Sequence, residues 1–342
     1  MEVVSIGVDV AKASVVAAYW DGERSQPLGS FSNGRAADAA LLTAVQATAT
    51  RLGAATVRLV LEPTGGYEAP LALAAHQLGW TVWLPNPLQV KRFGQGRGQR
   101  GKTDAADAGL LACYGALGQG TAWQPLPAAV QTLQLLLERL AQLEQLARQE
   151  QNRAAALALL ASVPPAVLTS LATLATAVAQ AQADLAAAIQ AHLTAEPALA
   201  AQAERLATVP GVGSKTVLPL LVLLGRWETH TAGQGTSRQL TAYVGLDPQP
   251  FQSGSSVYRA PHISRHGDAD LRRRLFCAAA GGIRSHSSVL GQFAARLRAR
   301  GKPWKVIVVA AARRLLRWAW AVYHAQQPFD PARAAAQLPA AA

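Results

Sequence analysis

The 342-residue sequence has only two cysteines, Cys113 and Cys277, and their spacing fits neither a disulfide framework nor a zinc site. Both fall in apolar helical stretches, so both are expected to be reduced core residues of a cytoplasmic protein. The opening Met1-Glu2-Val3-Val4-Ser5 lacks a basic segment with an apolar run behind it, and the apolar runs at 216–224 and 306–312 are too short to span a bilayer. Neither secretion nor membrane insertion is expected. A long basic tail is also missing, although 32 Lys and Arg face 20 Asp and Glu, a formal charge of +12. That excess therefore lies on folded surfaces and points to a polyanionic partner, nucleic acid first.

The length allows two domains, each with its own core. Residues 3–9 read as a buried strand ending in Asp9, followed by strands at 14–20 and 27–32 around an Asp21-Gly22 turn. A helix over 35–52 precedes a strand at 56–61 that ends in Glu62, and Pro63-Thr64-Gly65-Gly66 leads into a helix near 67–78 and a short strand at 81–84. Three antiparallel-looking strands followed by strand–helix units are the order of a ribonuclease-H-like sheet. Asp9 and Glu62 then stand at the C-terminal ends of apolar strands, where an acid is costly to hold without a partner.

Residues 94–103 form a glycine-rich stretch carrying Arg97, Arg100 and Lys102, either a solvated loop or one that orders on nucleic acid. It runs into Thr103-Asp104-Ala105-Ala106-Asp107 at the start of a helix over 104–117. Asp104 and Asp107, three apart, share one helical face. Their repulsion is offset by the helix N-terminus and would be removed by a metal ion. Thr103 or Asp104 as an N-cap, with Asp107 a first-turn acid, is the structural alternative.

Leucines near heptad spacing from 128 to 161 (Leu133, Leu136, Leu140, Leu143), a Val163-Pro164-Pro165 break and a second apolar stripe predict a helical hairpin or coiled-coil spacer, either plain core or a dimer surface. Val209-Pro210-Gly211-Val212-Gly213-Ser214-Lys215-Thr216 lacks Walker spacing but resembles the turn of helix-hairpin-helix modules, placing Gly211, Gly213 and Lys215 where a phosphate can bind. A glycine turn between packed helices is the alternative there. The turn-rich segment 247–256 includes Ser253 beside Gly254, ordinarily a turn serine. Arg265, His262, His266 and a helix from about Asp268 bearing Arg272, Arg273 and Arg274 suggest a phosphodiester environment. Arg313, Arg314 and Arg317 read as a basic rim on a core helix. The residues beyond Pro328 are expected to be poorly ordered.

The ordered set Gly7-Val8-Asp9-Val10-Ala11-Lys12, Leu61-Glu62-Pro63-Thr64-Gly65-Gly66-Tyr67, Lys102-Thr103-Asp104-Ala105-Ala106-Asp107, Pro210-Gly211-Val212-Gly213, Gln252-Ser253-Gly254 and Ile263-Ser264-Arg265-His266-Gly267 resembles the transposases of the IS110 insertion-sequence family, the bridge recombinases. The resemblance spans nearly the whole chain. It implies an α/β RNase H-like (RuvC-like) DEDD domain at 1–120, a helical coiled-coil region at 121–200, a mainly α transposase domain with a helix-hairpin-helix at 201–328 and a disordered tail at 329–342. Asp9, Glu62, Asp104 and Asp107 map to the family's metal-binding tetrad, for Mg²⁺ or Mn²⁺, and Ser253 to its serine nucleophile; Ser255 and Ser256 lie within a small register error. The partners implied are donor and target DNA, a structured non-coding bridge RNA and further copies of the chain, as a dimer or tetramer. The setting implied is prokaryotic, cytoplasmic and nucleoid-associated, with no membrane. Pro63 stands where the family often has Ala, and Arg265 where Lys is common. Three other readings compete: a metal-dependent endonuclease using water, a non-enzymatic DNA-binding scaffold and an actin-like phosphotransferase. The last lacks a second phosphate loop.

Overall fold

The computed structural model describes residues 2–98, 101, 103–118, 120–253, 257–285 and 288–336, with backbone only at 35–38, 251–253 and 257–261. The chain divides into two compact units. One runs to Pro125 and includes Thr229–Thr231; the other comprises the rest.

The first unit holds strands β1 (Val3–Val10), β2 (Ser14–Trp20), β3 (Ser25–Ser32), β4 (Thr56–Leu61) and β5 (Thr81–Trp83), and helices α1 (Arg35–Arg51), α2 (Ala69–Gln77), α3 (Pro87–Gly96) and α4 (Asp104–Ala116). The sheet order is β3-β2-β1-β4-β5, with β1 antiparallel to β2 and parallel to β4. Alternation along the central strands separates two faces. Val4, Ile6 and Val8 of β1, with Val57, Leu59 and Leu61 of β4, join Leu41 and Val45 of α1 and Leu71 of α2 in one core. Ser5 and Gly7 of β1, with Arg58 and Val60 of β4, face α4 instead.

α3 falls partly within the stretch expected to be loop. Asn86 caps it by accepting from the Leu88 N–H at 2.8 Å, and Pro87 occupies the first helical position, so the chain is helical through Gly96. Arg100 and Lys102 lie outside the described residues.

The second unit contains α5 (Ala128–Leu157), α6 (Pro165–Ala195), α7 (Pro197–Ala207), all but the last three residues of α8 (Ser214–Thr231), α9 (Ser237–Val244), β6 (Pro248–Ser253), β7 (Val257–Ile263), α10 (Ala269–Gly282), α11 (Val289–Ala299), α12 (Trp304–Ala325) and α13 (Pro331–Ala336). Its core surrounds α12, where Val308, Ala312, Leu315 and Leu316 are fully buried. α5 and α6 pack along each other; near their base Leu133 and Ile189 are buried and the His192 ring nitrogen lies 2.8 Å from the Ala129 carbonyl. At the other end Leu159, Leu160 and Leu168 are exposed. Among the described residues α6 is the one helix long and apolar enough to cross a membrane by length and composition, a property its alanines and leucines confer.

Three expectations are corrected. Segment 247–256, read as turns, contributes strand β6 to a two-stranded antiparallel hairpin. Cys277 is exposed on α10, whereas Cys113 is buried in α4; both thiols are free. The chain past Pro328 is ordered to Ala336, because the Phe329 N–H donates to Thr208 Oγ1 at 2.8 Å, the Phe329 ring packs on Trp318, and Asp330 caps α13. Residues 337–342 lie outside the described residues.

Candidate active site

The tightest packing in the first unit lies between β1 and α4. A Cβ on Gly7 would fall 2.1 Å from the Ala108 carbonyl oxygen and 2.2 Å from the Ala112 nitrogen, so glycine is what lets helix backbone meet strand backbone here. Ser5 Oγ donates to the Ala112 carbonyl at 2.7 Å, and Gly115 lies against Ser5 and Val60. α4 therefore runs antiparallel to β1, with Ala112 and Gly115 beside Ser5 and the turn from Ala108 to Ala112 against Gly7. Four helical residues advance about 6 Å. Two strand residues advance about 6.6 Å. The next step in this register brings the first turn of α4, which carries Asp104 and Asp107, toward the end of β1 at Asp9.

Glu62 belongs to the same edge. β1 and β4 are in parallel register with Val8 opposite Leu61, so Asp9 and Glu62 occupy the following position side by side. Both continue the residue parity that faces α4 on its strand. Thr103 caps α4, its Oγ1 accepting from the Ala106 N–H at 3.2 Å, so the cap reading holds and leaves Asp104 and Asp107 in the first turn. At the opposite end of α4, Arg58 Nη1 donates to the Gly115 carbonyl at 2.6 Å while its guanidinium lies over Trp83. Burial holds the Arg58 pKa below its ordinary value. Positive charge at the C-terminus and acids at the N-terminus both suit the helix dipole.

Sequence reasoning missed Glu68. Its buried carboxylate accepts from the N–H groups of Thr64 and Gly66, both at 3.0 Å, and so fixes the loop leaving Glu62. The sequence signal was an acid placed just beyond a Thr-Gly-Gly turn. Among the described residues no three His, Cys, Asp or Glu groups already stand close enough to share an ion. The strand register and the packing of α4 direct the C-terminal ends of β1 and β4 and the first turn of α4 to the same side of the sheet.

In the second unit Ser253 ends β6, paired with Val257, beside the turn of the hairpin. Its side chain, and Gly254, Ser255 and Ser256 entirely, lie outside what is described. The base of the hairpin is closed by several contacts. The Ser264 N–H donates to the Asp247 carbonyl at 3.0 Å, Ser264 Oγ donates to the Asp247 carboxylate in a short hydrogen bond, and Gln249 Nε2 donates to the same carboxylate at 2.8 Å. Burial alone would raise the Asp247 pKa, but these donors outweigh it and hold the group below the usual carboxylate value. Gly245, at φ 77°, lets the chain pass His266, whose carbonyl oxygen would lie 1.9 Å from an added Cβ.

The basic residues picked out in the sequence have divergent fates. Arg272 Nη1 donates to the carbonyls of Val244, His266 and Gly267 at 2.9–3.1 Å, which makes it a brace of this turn rather than a free phosphate contact. Arg273 is bound to Asp270, which raises its pKa, and Arg274 shares the same carboxylate. Gly211, at φ 92°, packs against the Ala278 carbonyl. Gly213, Lys215, Arg265 and Arg97 remain exposed, with Arg97 near the Trp20 and Phe93 rings. The turn between α7 and α8 is thus present, with its first glycine used in packing.

The IS110-type DEDD transposase model matches residues 6–164, which include all four acids, and the model for transposases of the IS116/IS110/IS902 family matches residues 203–295, which include Ser253. A pilin gene-inverting protein of Moraxella lacunata is 30% identical over 325 residues, 95% of this chain and 97% of that one, and its counterpart in Moraxella bovis is equally similar. The chain belongs to the IS110 family of transposases. An uncharacterized IS110 protein of Streptomyces coelicolor is 34% identical over 151 residues, 43% of this chain and 34% of that one. The IS110 transposase is thus a DNA recombinase whose first unit has an RNase H-like fold. Membership implies DNA binding, and the DEDD domain implies dependence on a divalent metal.

Proposed function

We propose that this transposase cuts and rejoins donor and target DNA through a covalent phosphoserine link at Ser253, guided by a structured bridge RNA. In this reading Ser253 Oγ attacks the scissile phosphorus, a new P–O bond forms, and the bond to the displaced deoxyribose oxygen breaks. The Ser253 hydroxyl gives up its proton as the bond forms, and the leaving oxygen takes up a proton and departs as a hydroxyl, so the step is balanced. The phosphodiester energy stays in the serine ester, so a strand hydroxyl can attack it later and release the serine without nucleotide hydrolysis. Asp9, Glu62, Asp104 and Asp107 are the residues that would hold Mg²⁺, and an all-carboxylate set suits that hard cation. The ion, when bound, neutralises charge on the phosphoryl oxygens and stabilises the leaving oxygen.

The observation that supports the reading is the shared parity of Asp9 and Glu62 toward α4, together with the antiparallel packing of α4 on β1 that directs its first turn toward them. The Ser253 assignment rests on the family resemblance and on its place at the end of β6. Recognition of DNA or guide RNA by Gly213, Lys215, Arg265 and Arg97, the helix-hairpin-helix character of the α7–α8 turn, and assembly of copies through the exposed end of the α5–α6 pair belong to the same proposal. The test is to incubate the full chain, Mg²⁺ and co-purifying RNA with labelled junction DNA and to look for protein-linked DNA on a denaturing gel. A band lost in Ser253→Ala is expected. Cleavage with no linked band, in both proteins, would replace serine with water as the nucleophile.

A further inference from the structure

α12 carries an arginine group that neither the acids nor the serine account for. Arg313 and Arg314 are adjacent and Arg317 follows them by four and three residues, so the three share one side of the helix. Arg313 and Arg314 are partly buried, while Arg317 is exposed. Among the described residues none of the three forms an ion pair, and Arg313 Nε is sealed from solvent without a hydrogen-bond partner. Arg314 lies over the rings of Phe293 and Trp318 at 5.1 and 5.9 Å, which holds it in place without neutralising it. Asp247 is the acid whose field reaches Arg313, and its carboxylate is already engaged by Ser264 and Gln249.

Three like charges on one helix side, two of them partly desolvated, are costly to keep without a counter-charge. Burial, and then repulsion from Arg317, lowers the pKa of both Arg313 and Arg314. Lysines at these positions would shed their protons more readily when buried, whereas arginine stays charged and offers a planar fork to phosphate oxygens. The neighbourhood is also specific. α12 packs against α9, which ends at Val244 just before Asp247 and β6, so this arginine-bearing helix adjoins the base of the hairpin whose first strand ends at Ser253.

We infer that Arg313 and Arg317, with Arg314 as their fixed neighbour, form a seat for the phosphodiester backbone of a nucleic acid at the base of the β6–β7 hairpin. This rests on the nucleic-acid reading above and adds a binding site to it. Arg317 is the outer contact and Arg313 the inner one. The contact reads phosphate rather than bases and is therefore indifferent to sequence.

The test is binding of the full chain, in EDTA so that nothing is cut, to a short duplex DNA of arbitrary sequence and separately to a single-stranded RNA, each over a range of salt. Each lost phosphate contact lowers the slope of log affinity against log salt by about 0.9 on duplex and about 0.7 on a single strand. Arg317→Ala and Arg313→Gln are expected to lower it by that amount on at least one probe, and Arg317→Lys to restore most of it. A loss confined to the duplex assigns the seat to DNA, and one confined to RNA assigns it to the guide. Arg300→Ala, which removes the same charge from an exposed site on the α11 C-cap, is expected to leave the slope unchanged. If Arg317→Ala matches Arg300→Ala and wild type on both probes, the inference is overturned, whether or not Arg313→Gln folds. Because the assay needs no serine chemistry, its failure is distinct from failure of the phosphoserine reading.

Discussion

In the first unit the acids sit at the ends of elements whose bodies are sealed in a core. In the second, the proposed nucleophile ends a strand whose anchorage lies at the other end of a hairpin. β1 and β4 are held on one face by fully buried Ile6, Leu59 and Leu61 and on the other by backbone contact with α4. The β6–β7 hairpin is closed at its base by Asp247, Ser264, Gly245 and Arg272. Metal ligands must hold their spacing to within a fraction of an ångström, which suits termini of core elements. Ser253 stands at the end of the hairpin away from the contacts at its base.

The largest effect should come from disturbing the rigid side. Gly7→Ala places a methyl against the α4 backbone and is expected to cost about 3 kcal/mol, because the blocking atoms belong to a packed helix. Thermal unfolding and excision assays should show lower stability and lost excision together. Gly245→Ala should cost about 2 kcal/mol from its left-handed backbone, with further strain against His266. Here DNA linkage should fall more than metal binding does. If metal binding fell equally, the separation of the two supports would be wrong.

The smallest effect concerns Asp247. Its folded pKa lies below its unfolded value of about 3.9, so its stabilisation is complete above that value and is lost as pH falls through the folded pKa. Asp247→Asn should therefore be less stable than wild type near neutrality. The gap should close below about pH 4. Unfolding curves at several pH values measure it, and a gap that persists in acid would assign the effect to shape rather than charge.

The strands and α4 were legible because their patterns are strong. Val3–Val10 is apolar enough for a central strand, and Thr103 followed by two acids announces a capped helix. α3 was hidden by the glycines at its end, since glycine argues against helix unless packing and a good cap outweigh it. β6 was hidden by Pro248 and Pro250, which argue against a strand, and it pairs with a single partner that leaves one edge open. The four acids could be named from their strand-end and helix-start positions with the family match, but their common edge depends on Gly7, whose role appears only when α4 lies against it. Glu68 fixes a local loop that its position just beyond Thr64-Gly65-Gly66 could have signalled, whereas Arg272 acts on the Val244 carbonyl, far away in sequence, and a residue pattern carries no sign of that. Arg313 and Arg317 read as a basic rim because the sequence does not reveal that, among the described residues, neither forms an ion pair.

The measurement that bears most directly on the account is Mn²⁺ binding to the full chain, followed by electron paramagnetic resonance in wild type and in Asp9→Asn, Glu62→Gln, Asp104→Asn and Asp107→Asn. If the β1–β4 register and the seat of α4 bring the four carboxylates to one ion, each variant should weaken binding at least several-fold while keeping its fold. The strand acids and the helix acids should then behave alike. Unchanged binding in Asp104→Asn and Asp107→Asn, beside its loss in Asp9→Asn, would show that α4 does not serve the site and would contradict the account.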